Sequence, residues 1–87
     1  MREQESSIPS FERQCPATAH TVRELRVQFE QWLRDLGASF AVTHDLGLAV
    51  YEALANSAEH AYPPDHPTPT VELSAQLDGS HLTITVT

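Results

Sequence analysis

Asp45-Leu-Gly-Leu-Ala-Val-Tyr-Glu52-Ala-Leu-Ala-Asn56-Ser-Ala-Glu59-His60-Ala-Tyr62, followed by Pro63 and Pro64, is the stretch around which the rest of the chain falls into place. On a helix at about 100° per residue, Asp45, Ala49, Glu52, Asn56, Glu59 and His60 share roughly a quarter of the circumference, with Leu46, Val50, Ala53, Leu54 and Ala61 opposite. One helix thus carries a core stripe and a polar stripe. Polar stripes are most often solvated faces. Two details weigh the other way. Leu48, Tyr51, Ala55 and Tyr62 leave both flanks apolar, and the stripe has no Lys or Arg to form the i,i+4 ion pairs of a solvated ridge. The helix is therefore expected to be largely buried, with its polar stripe lining a cleft. Glu52 and Asn56, four residues apart, project side by side and can set a carboxylate base beside a hard metal ion.

Upstream, Val22, Leu25, Phe29, Trp32, Leu33 and Leu36 make a continuous apolar stripe, which predicts a first helix that stops at Gly37. Thr21-Val-Arg-Glu24 has the spacing of a reciprocal capping pair and places the start near Thr21, with Thr18 as an earlier alternative. Arg26 with Glu30 and Glu30 with Arg34 are i,i+4 pairs on the opposite, solvated face. Ala38 to His44 reads as a short link, with Thr43 as N-cap of the second helix and Asp45 at its positive end. Earlier still, Phe11-Glu-Arg-Gln-Cys15 alternates as a short strand that Pro16 ends or confines to a sheet edge. Residues 1–10 lack periodicity and read as a flexible arm.

Downstream, Pro63-Pro-Asp-His66-Pro-Thr-Pro69 makes a stiff connector. Val71, Leu73, Ala75 and Leu77 then alternate with polar residues, as do Leu82, Ile84 and Val86, with Asp78-Gly79 between them as the turn of a hairpin. Setting Leu77 opposite Ser80 gives the pairs Ala75–Leu82, Leu73–Ile84 and Val71–Val86, all on one face. That face packed on the two helices is an α+β fold, a two-layer sandwich of two helices on an antiparallel sheet, with one domain spanning residues 11–87. The edge of the last strand is expected to be open and to promote self-association.

At 87 residues the chain makes at most one small domain of modest stability, and 40% hydrophobic residues suffice for its core. No apolar run approaches the ~18 residues of a membrane span, and the polar N-terminus has no signal-peptide pattern, so a cytoplasmic setting without membrane contact is expected. A net charge of −7, with five basic residues that are all Arg, argues against direct nucleic-acid binding. Cys15 is the one cysteine, which excludes an intrachain disulfide and reads as a small buried hydrophobe. His20, His44, His60, His66 and His81 follow no metal-ligand spacing and read as scattered surface residues.

Glu52-Ala-Leu-Ala-Asn56-Ser-Ala-Glu-His60-Ala-Tyr62 resembles the N-box of the GHKL ATPase superfamily, most of all its anti-sigma-factor serine/threonine-protein kinase branch. The order strand, helix, helix, Pro-rich loop, hairpin is similar too, so the resemblance runs from about Phe11 to Thr87. It implies a Bergerat-type ATP-binding fold with ATP and Mg2+ as cofactors. Glu52 would then be the general base and Asn56 the ligand of the magnesium ion bridging the ATP phosphates. His60 would line the nucleotide site. Counting back without gaps, Arg26 corresponds to the first-helix Arg that the family uses against a sigma factor. The implied function is transcription regulation by an anti-sigma factor that binds a sigma factor and phosphorylates an anti-anti-sigma antagonist on Ser. In the family an Asp-x-Gly-x-Gly box follows the hairpin and its Asp reads the adenine. No such box occurs here, so the expected fold is truncated before it and the 87 residues alone are expected to form an incomplete site. The alternative is a non-catalytic module that binds a sigma factor or antagonist without a working nucleotide site.

Overall fold

The computed structural model describes residues 8–60 and 69–87, and for His60 the backbone alone. The elements run β1 (Ser10–Pro16), α1 (Ala19–Asp35), α2 (Phe40–His60), β2 (Thr70–Asp78) and β3 (His81–Val86). The sheet has the order β1-β2-β3 with both pairings antiparallel, and both helices cover one of its faces. This is the expected α+β sandwich of two helices on a three-stranded antiparallel sheet.

Alternation puts Phe11 of β1 and Val71, Leu73 and Ala75 of β2 on the helix side, where they are buried. They meet Val22, Leu25, Phe29 and Leu33 of α1 and Val50 and Leu54 of α2 in one core. Phe29, Leu54 and Leu73 are completely buried; each such side chain stabilises the fold by about 1.5–3 kcal/mol before ordering costs. Phe11, Phe29 and Trp32 form an aromatic cluster with centroids 5.8–6.0 Å apart. Arg13 lies over the outer ring of this cluster, 4.7 Å from the Phe11 centroid, and closes the core at the β1 edge. Cys15 is half-buried against the core.

The caps resolve one alternative and correct one expectation. Thr18 is the N-cap of α1, and its partner in the reciprocal pair is the Thr21 hydroxyl rather than the Glu24 carboxylate. Glu24 instead reaches back to His20, 3.3 Å away. The C-terminus closes with Ala38 N–H donating to Leu33 C=O and Gly37 N–H to Arg34 C=O, the six-to-one and five-to-two bonds of a Schellman motif. α2 begins a turn earlier than expected. Ser39 accepts the Val42 N–H on its hydroxyl and the Thr43 N–H on its carbonyl, so Ser39 caps the helix. Thr43 lies inside it, 2% exposed and with no partner for its hydroxyl.

The hairpin register also differs from the expected one, by two residues. Leu77 pairs with Leu82, Ala75 with Ile84 and Leu73 with Val86, so the two-residue turn is Gly79-Ser80. Gly79 has φ +65° and among the described residues no non-glycine residue has positive φ, which is the type II′ pattern with glycine at the first central position. The turn that fits the right-handed twist of the strands sets the pairing. A shift of two keeps every side chain on its face, so the apolar alternation survives unchanged.

Candidate functional site

α2 lies across the sheet with Val50 and Leu54 inward, and this orientation sends Asp45, Glu52, Asn56 and Glu59 outward as one exposed ridge. Glu52 and Asn56 stand a turn apart on that ridge, as their spacing requires. The ridge itself faces solvent rather than lining a cleft. The cleft lies along its flank: Ala49 and Ala53, together with Leu46 and Val50, face Ile84 and Val86 of β3 across an open apolar groove of about 310 Å³. Small side chains at i and i+4 keep α2 low over β3 and leave this groove open. Its apolar walls run beside a carboxylate and a carboxamide. A flat apolar ligand portion with a polar end meets complementary chemistry there.

His60 closes α2, and its side chain, Tyr62 and His66 lie outside the described residues. Arg26 is on α1, toward the other flank of α2, and is not on a solvated face. Its Nε donates to Glu30 Oε2 at 2.8 Å, with both side chains mostly buried, and its guanidinium lies 5.8 Å from the Tyr51 ring centroid. Glu30 does not pair with Arg34, which donates to Gln31 Oε1 instead. The structure thus keeps Glu52 and Asn56 together and sets Arg26 apart, held between the helices.

Two features of the site were not anticipated from sequence. Gly47 is the seat of the Glu30 carboxylate: a Cβ there would run into Glu30 Oε2 and lie 2.7 Å from its Cδ and Cγ. The Ala49/Ala53 groove is the second. Its signal in the sequence is a pair of small residues at helical spacing beside Glu52, a pattern that says nothing of which strand will face it.

A model of the histidine kinase-like ATPase domain matches residues 15–87, which takes in α1, α2 with its ridge, and the hairpin. A search of curated proteins finds no match to the chain. The order of elements is consistent with that domain and the match covers most of the chain: this chain belongs to the histidine kinase-like ATPase domain family.

Proposed function

We propose that α2 supplies the base and the metal anchor of a Mg-ATP site, and that the chain serves an anti-sigma factor of the serine kinase type. The observation that carries this reading is the exposed ridge of Glu52 and Asn56 beside an apolar groove, on a chain of the histidine kinase-like ATPase family. Among the described residues no group of three His, Cys, Asp or Glu converges on one point. A magnesium ion here would take the Asn56 carboxamide oxygen as its protein anchor and draw its other ligands from water and phosphate oxygens, the usual habit of that ion. Bound there, the metal would neutralise phosphate charge. Glu52, a turn before Asn56, would accept the proton of an acceptor Ser hydroxyl from an anti-anti-sigma antagonist. His60 belongs to the same reading as a lining residue at the end of the ridge.

Contact of Arg26 with a sigma factor is part of the proposal, and its geometry sets a condition. Arg26 is tied to Glu30 and packed near Tyr51, so a partner either displaces Glu30 or meets the pair as a unit.

The test is calorimetric titration of the protein carrying this chain with ATP, with and without magnesium. Magnesium-dependent binding is expected, weakened at least about tenfold in Asn56→Ala. Glu52→Ala is expected to keep nucleotide binding and to lose phosphotransfer to a Ser-containing antagonist by roughly 10²–10⁴-fold. Phosphotransfer that survives both substitutions overturns the assignment. Partner binding that ignores nucleotide altogether points to the non-catalytic module instead.

A further inference from the structure

α2 is held unevenly around its circumference. Val50 and Leu54 anchor its inner side in the core. On the β3 flank Ala49 and Ala53 are exposed and border the open groove, so two methyl groups and empty space are what face Ile84 and Val86 there. A gap forfeits packing contacts, and this flank offers little resistance to a turn of the helix about its own axis. By helical periodicity Gly47 and Tyr51 lie on the opposite flank, the one that meets α1.

α1 grips that flank at two successive turns. The Glu30 carboxylate lies in a notch at Gly47, so close that a Cβ there would run into Oε2. Arg26, a turn earlier on α1, sets its guanidinium 5.8 Å from the centroid of Tyr51, a turn later on α2. Arg26 Nε donates to Glu30 Oε2 at 2.8 Å with both side chains mostly buried, so a charge-assisted hydrogen bond fixes the two rotamers together. The notch is walled by the backbone of α2, which has no rotamers with which to yield. A turn of α2 would drive that wall into a carboxylate that is itself held.

We infer that Glu30, seated on Gly47 and tied to Arg26, is a positioning residue for the ridge: it fixes the rotation of α2 and with it the direction of Glu52 and Asn56. This rests on the reading of that ridge as the base and metal anchor of a nucleotide site. At the radius of the side chains, roughly 5–6 Å from the axis, a rotation of about 20° carries each of them about 2 Å. Glu52 and Asn56 would keep their spacing but shift against Ile84 and Val86, which stay with the sheet. A working constellation tolerates a displacement of only about 0.5 Å. Glu30 stands on the flank away from the groove and acts through α2 alone.

Residual dipolar couplings of the α2 amides, measured on the protein carrying this chain, test it together with Mg-ATP titration. These couplings oscillate with the helical period, and the phase of the oscillation relative to the sheet reports the rotation of the helix. Glu30→Ala is expected to move the phase by about 10–20° on the geometry above and to weaken Mg-ATP binding about tenfold, while the β2 amides keep their couplings. Gly47→Ala, which displaces the carboxylate without removing it, is expected to do the same. Glu30→Gln is expected to match the wild type in both readings, because its amide oxygen accepts the same Arg26 proton and fills the same seat. An unchanged phase in both Glu30→Ala and Gly47→Ala overturns the inference, as does a shifted phase with unchanged affinity. Equal shifts in Glu30→Gln and Glu30→Ala overturn it too, since the seat is then filled without effect. A wild-type protein that binds no Mg-ATP overturns the nucleotide reading alone, and the phases then still decide whether Glu30 sets the ridge.

Discussion

Gly47 is the point on which the two helices close. Its missing side chain leaves room for the Glu30 carboxylate, which in turn holds Arg26. In a helix interior Gly costs about 1 kcal/mol relative to Ala, so Gly47→Ala alone brings a propensity gain offset by displacement of Glu30 and loss of its pair. With Glu30→Ala already in place the obstacle is gone, and Gly47→Ala should then stabilise by about 1 kcal/mol. Urea unfolding of the four proteins in this cycle checks the point: equal effects of Gly47→Ala in both backgrounds would separate Glu30 from Gly47. The spacing of Arg26 and Glu30 was legible in the sequence as an i,i+4 pair. That the pair turns inward was not, because the reason sits on the other helix. Thr43 was misplaced for a related cause. A Thr before an acid reads as a cap, but Ser39 captures the first amides one turn earlier and carries Thr43 into the interior.

Among the elements, the hairpin separates what alternation can specify from what it cannot. A period of two tells which residues face the helices, and all of them do as expected; it is blind to a register shift of two residues. The type II′ turn at Gly79-Ser80 removes that freedom, and its positive φ at Gly79 is the local requirement. Gly79→Ala is expected to cost about 1–2 kcal/mol in unfolding free energy, the penalty of a left-handed conformation for a residue with a Cβ. It should also introduce a second set of amide resonances in β2 and β3 from a slipped pairing. An unchanged stability together with a single set of resonances would show that the strands, not the turn, hold the register. α1 was the most legible element, since its apolar stripe and Gly37 stop are local signals; what escaped were the cap at Thr18 rather than Thr21, the inward turn of Arg26 and Glu30, and the partner of Arg34.

For the molecule as a whole, the fold class followed from two helical stripes and one alternating hairpin that can each bury a face only against the other. The ridge of Glu52 and Asn56 was visible for the same reason, as the side of α2 that the core does not claim. The groove beside it was not, because it exists only once α2 is laid over β3. No helix among the described residues is long and apolar enough to cross a membrane. The two layers do not cover each other evenly. Val71, Leu73 and Ala75 of β2 are buried, while Leu82, Ile84 and Val86 of β3 are only partly covered. Cohesion is therefore graded across the sheet, and the molecule should open from one side. In hydrogen exchange on the 87-residue chain, amides joining β3 to β2 are expected to lose protection well before those joining β2 to β1. Simultaneous loss across all three strands would mean that the sheet opens as a single unit. With graded loss, the strand that walls the groove is also the first to let go, and whatever fills the groove acts as a clasp on the fold.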